Sequence, residues 1–94
     1  MPKYVIERDP PHAGQLSDED LRNISAKSCD VLRNMGPSVQ WQESYVTDDK
    51  IYWVYIADSE DRVREHAQRG DFPVTNIAAV RRVIDPATSE ARAG

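Results

Sequence analysis

The residues of this chain best able to bind a metal or move a proton are two histidines and the carboxylates near them. His66 stands next to Glu65, His12 follows a Pro-Pro pair, and Asp48 and Asp49 are adjacent. Neutral imidazole ligates transition metals and exchanges protons near pH 7. Carboxylate oxygens from Glu43, Glu65 or the aspartates can complete a site for an ion such as nickel. Each residue also has a plainer role. His66 falls one step off the apolar stripe of a predicted helix, where a half-buried histidine bonds a carbonyl or a carboxylate. His12 lies in a loop and is expected at the surface, and an Asp-Asp pair commonly just makes a turn.

A second constellation runs along strand-like segments: Glu7, Glu43, Tyr45, Tyr55 and Arg81, interleaved with Trp41 and Trp53. A carboxylate in an aromatic, desolvated setting gains basicity and can act as a general base. In that arrangement Glu43 is the base or polar anchor, Tyr45 and Tyr55 orient a ligand, and the tryptophans form walls. The plainer alternative pairs Glu7 or Glu43 with Arg81, which satisfies a buried charge without any chemistry. No H-x-x-x-H, C-x-x-C, G-x-x-x-x-G-K or G-x-S-x-G pattern occurs, so the sharply specified site types are missing. The single cysteine, Cys29, excludes an internal disulfide and a multi-cysteine metal site. It sits in mid-helix, and Lys27 is near in sequence but not one turn away, which reads as an inert core thiol.

Composition narrows the partners. Hydrophobic residues make up 39% and charged residues 30% of the 94-residue chain, an ordinary balance for one globular domain. A formal net charge of −4 argues against general binding to a phosphate backbone. Arg62, Arg64 and Arg69 do cluster on one predicted helix, but Glu60, Asp61, Glu65 and Asp71 interleave with them. No apolar run is long enough to span a bilayer, and no basic-then-apolar leader precedes the first strand. The expectation is a cytoplasmic protein with no nucleic-acid or membrane partner.

Six elements must position these residues. Residues 3–8 read as a strand ended by Pro10 and Pro11. Ser17 then caps a helix whose first turn carries Asp18, Glu19 and Asp20, with Asp20 at the capping-box position. Leu21, Ile24, Ser28, Val31, Leu32 and Met35 recur at helical spacing, and Gly36-Pro37 stops the run. Residues 39–48 and 50–57 form a hairpin, a second helix runs from about Ser59 to Gly70, and residues 76–84 supply a last strand. The order βαββαβ predicts an α+β ferredoxin-like sandwich, an antiparallel sheet with both helices on one face. Residues 1–85 make that single domain, and 86–94 read as a flexible tail.

Alternation along the strands divides the sheet into two faces. Tyr4, Ile6, Tyr52, Val54, Ile56, Val80 and Ile84 are assigned to the helix side. Val5, Glu7, Trp41, Glu43, Tyr45, Ile51, Trp53, Tyr55, Arg81 and Val83 fall to the open side. So aromatic an open face is expected to be covered by a second copy, as in a dimeric α/β barrel. A small ligand in the cavity between two facing sheets is compatible with that pairing.

Four stretches carry a resemblance: residues 1–8 (MPKYVIER), 26–32 (AKSCDVL), 43–57 (ESYVTDDKIYWVYIA) and 63–73 (VREHAQRGDFP). Together they resemble a domain-of-unknown-function family of small bacterial proteins whose characterised type is a ferredoxin-like, homodimeric nickel-binding protein. The resemblance extends nearly to Asp85. It implies nickel held at the dimer surface in a sequestration or detoxification role. The eligible ligands here are His12, His66, Glu43, Asp48, Asp49 and Glu65. Trp53 stands where many relatives carry a cysteine, so a thiolate ligand at that position is lost. An enzyme is not implied.

Overall fold

In the computed structural model of the chain, which describes residues 1–90, four strands and two helices alternate as β1 (Lys3–Arg8), α1 (Asp18–Met35), β2 (Val39–Val46), β3 (Ile51–Ala57), α2 (Glu60–Gly70) and β4 (Asn76–Ala79). The helix limits follow from local chemistry. The Ser17 hydroxyl accepts from the Asp20 amide while the Asp20 carboxylate accepts from the Ser17 amide, closing the capping box at 3.0 Å in each direction. Gly36 ends α1 at φ 74°, a positive-φ conformation glycine adopts freely. At the end of α2 the left-handed residue is Asp71 rather than the preceding glycine.

All strand pairs are antiparallel, in the sheet order β2-β3-β1-β4. That order with two crossover helices is the ferredoxin-like arrangement expected from the sequence. The helices contact one another and pack on the same sheet. Buried between them and the sheet lie Tyr4, Ile6, Ile51, Trp53, Tyr55 and Val63, with Ile24, Val31, Leu32 and Trp41 partly buried at the margin.

The expected division of the sheet into faces needs correction. Tyr4 pairs with Tyr55, Ile6 with Trp53 and Arg8 with Ile51, and cross-strand partners share a face. Ile51, Trp53 and Tyr55 therefore lie under the helices. Tyr52, Val54 and Ile56 lie on the open face instead. β2 obeys neither phase throughout, because its register with β3 shifts between Trp41 and Glu43. This bulge at Gln42 resets the alternation. Trp41 consequently points to the helix side, while Glu43 and Tyr45 keep to the open side beside Val54 and Tyr52.

The last strand is shorter than expected, Asn76–Ala79 in place of residues 76–84. β4 is an edge strand with β1 as its one neighbour. The Val80 amide still donates to the Lys3 carbonyl at 2.8 Å. Beyond Lys3 the chain reaches Pro2, which has no amide to donate, and whose carbonyl already accepts from Ala57. Arg81, Val83 and Ile84 are exposed outside the sheet. Pro86–Glu90 forms a 3-10 turn; residues 91–94 of the expected tail lie outside the described residues.

Candidate functional site

One end of the sheet gathers three of the candidate ligands. After β1 the chain turns through Pro10 and Pro11 into a 3-10 turn, Ala13–Gln15. His12 precedes that turn in a left-handed conformation, φ 57°, and is exposed. The Gly14 amide donates to the Asp48 carbonyl at 3.0 Å, tying this loop to the tip of the β2–β3 hairpin. The approach is close: a Cβ on Gly14 would stand 2.7 Å from the Asp48 Cα. The hairpin tip is itself ordered by Thr47, whose hydroxyl accepts from the Lys50 amide at 3.1 Å and donates to the Asp49 carboxylate at 3.2 Å. The loop that begins at exposed His12 is thus tied by its backbone to the hairpin tip that carries exposed Asp48 and Asp49.

The other candidates are elsewhere. His66 is fully buried on the inner face of α2, not half-buried at its edge. Its Nε2 lies 3.2 Å from the Ser28 hydroxyl of α1, an interhelical hydrogen bond. Burial, and secondarily the charge of Arg8, lower its pKa from 6.5 to about 4, so the ring is neutral at physiological pH. Its Nδ1 has no hydrogen-bond partner among the described residues. An interior ring of this kind has no access to a surface metal. Its neighbour Glu65 is held at 2.5 Å by both Arg62 and Arg69. Neither residue completes an exposed metal site.

The open-face constellation is only partly assembled. Glu43 accepts from the Tyr45 hydroxyl at 2.5 Å, and that bond raises the Tyr45 pKa. Glu7 lies 3.8 Å from Lys50, so its cation is not Arg81. Tyr55 is fully buried beneath the helices, where burial, opposed by the Arg8 charge, raises its pKa. With Tyr55 inside and Arg81 outside the strands, the five residues do not share one cavity.

The interior holds a polar group that sequence reading passed over. Arg8 is 3% exposed, and among the described residues none of its guanidinium nitrogens closes a hydrogen bond of ordinary geometry, though it interacts with the Tyr55 hydroxyl. Its Cζ lies 4.6 Å from the Trp53 ring and 4.8 Å from that of Phe72. Phe72 can reach this position because Gly70 has no side chain: a Cβ there would meet the phenyl ring at 2.3 Å. Phe72 in turn stacks on His66 at 5.5 Å. A signal was available in the sequence, since Arg8 shares the parity of Tyr4 and Ile6 in β1.

Comparison with known proteins gives a family. Residues 4–80 match the family described as nickel responsive protein, SCO4226-like. Among solved structures the chain is similar to the crystal structure of SCO4226 from Streptomyces coelicolor. The two share 13% identity and a TM-score of 0.74 over 87% of this chain and 99% of that one. At that identity the likeness establishes the fold alone. No curated protein matches the chain.

Proposed function

We propose, from the premise that this chain belongs to the nickel-responsive SCO4226-like family, that it is a cytoplasmic, homodimeric protein that binds and sequesters nickel. Family membership over residues 4–80 carries the reading. The joined loop and hairpin tip support a place for the ion, because imidazole with carboxylate oxygen is a donor set that suits nickel. His12 is the exposed histidine of the two in the chain. Asp48 and Asp49 share its end of the sheet. Among the described residues, no three histidine, cysteine or acidic side chains of one chain stand close enough to hold an ion. The reading therefore draws donors from two copies, with the open sheet face as the contact between them.

A calorimetric titration of tag-free protein with nickel, run beside zinc and magnesium, tests this. Saturable nickel binding is expected, weakened at least about tenfold (1.4 kcal/mol) by His12→Ala. His66→Gln should leave it unchanged. Nickel binding no tighter than that of magnesium, or untouched by His12→Ala, would overturn the assignment.

A further inference from the structure

A cavity of about 210 Å³ opens between α1 and the turn that follows α2. Its wall carries two cations, Arg8 and Lys27, and no acidic residue, in a chain whose net charge is −4. The remainder is apolar, with Ile24, Ile51, Trp53 and Phe72 as the main surfaces. Among the described residues no carboxylate forms an ion pair with either cation. Lys27 is exposed at the rim, its Nζ 4.9 Å from the Phe72 ring. Arg8 is buried; among the described residues none of its nitrogens closes a hydrogen bond of ordinary geometry, and the interaction with the Tyr55 hydroxyl is too weak to offset burial, which still lowers its pKa.

An arginine in that position is costly to keep. Buried charges in proteins are ordinarily paired and hydrogen-bonded, and aromatic faces supply attraction without accepting a guanidinium's in-plane N–H groups. The Trp53 indole N–H is buried in the same region and has no hydrogen-bond partner among the described residues. Hydrogen-bond donors thus accumulate behind an apolar cleft that lacks any acceptor among its lining side chains.

We propose that this cleft binds a small organic carboxylate, the anion held by Arg8 and Lys27 and its apolar body lying against Ile24, Ile51 and Phe72. Guanidinium and carboxylate match in geometry and charge. The size limits the ligand. At about 30 Å³ per water in the liquid, the volume equals roughly seven waters, below the about 300 Å³ at which pockets for drug-sized ligands begin. A single ring or short branched chain bearing one carboxylate fits these limits. The proposal is independent of nickel and of the sheet-to-sheet dimer, since the cleft lies on the helix side.

Benzoate is a suitable probe and benzamide its uncharged counterpart, titrated into metal-free protein while the Trp53 indole N–H signal is followed by NMR. Trp41→Phe identifies that signal. Saturable shifts with benzoate, at least about tenfold tighter than with benzamide, are expected. Arg8→Met should abolish the preference. Lys27→Glu changes an exposed residue and keeps the test alive if the Arg8 variant does not fold; it should weaken benzoate several-fold and leave benzamide unaffected. Equal affinity for both probes, no saturable shift at Trp53, or an unaltered benzoate affinity in Lys27→Glu would overturn the proposal.

Discussion

An imidazole in water and one inside a protein are different reagents, and this chain has one of each. His12 stands in solvent. His66 is enclosed by α1, Tyr55 and Phe72, with ring centroids 5.1 and 5.5 Å away. Its folded pKa of about 4 lies below the unfolded value of 6.5, so between those limits the unfolded chain takes up a proton that the folded chain refuses. Stability is therefore full above pH 6.5 and is lost as pH falls from there to about 4. The shift corresponds to roughly 3 kcal/mol. Urea midpoints measured across pH 4 to 7 should fall steeply toward acid in the natural chain. His66→Gln, which can still bond Ser28, should flatten that fall by a comparable amount. An unchanged slope would mean that the ring accepts its proton without leaving the core.

At the scale of elements, the contact between the 3-10 turn and the hairpin tip decides where the loop carrying His12 stands relative to Asp48. Gly14 stands there because nothing larger fits: an added methyl would lie 2.7 Å from the Asp48 Cα and 2.9 Å from its carbonyl oxygen. Gly14→Ala should push the loop from the tip, break the Gly14–Asp48 hydrogen bond and cost about 1–3 kcal/mol. Amide shifts at residues 47–50 check the displacement. The same substitution should loosen nickel binding without touching any candidate donor. The order of elements was legible in the sequence, as were the Ser17 cap and the Gly36 stop, because each is local chemistry. The face of β3 was not. Ile51, Trp53 and Tyr55 are as apolar as Tyr52, Val54 and Ile56, so alternation there contains no phase; pairing with β1 supplies it. The bulge at Gln42 and the early end of β4 likewise depend on neighbouring strands. Buried Arg8 was hidden by the rule that arginine faces water, although its parity placed it inside.

For the whole molecule the question is what becomes of the open face. The chain exposes 6526 Å², whereas a compact monomer of 10.7 kDa exposes about 5,500 Å². The excess of roughly 1,000 Å² comes partly from the extended segment after β4, where Val83 and Ile84 are 70% and 77% exposed. Half-buried Val5, Tyr52 and Ile56 surround the buried Val54 at the centre of the open face, with Tyr45 and Glu43 on its β2 edge and Glu7 toward the hairpin end. An apolar centre with a polar margin is how such interfaces are built. Tyr45 and Tyr52 are cross-strand partners, and replacing both with glutamate would add two charges to a face already bearing Glu7 and Glu43. Desolvating four carboxylates against a second copy of themselves is prohibitive, so Tyr45→Glu with Tyr52→Glu should sediment as a monomer. Both positions retain solvent contact in the single chain, so the variant should stay folded by circular dichroism. The natural chain should sediment as a dimer at micromolar concentration. A monomeric natural chain, or a variant that still dimerises, would remove the open face from the interface and with it the two-chain nickel site.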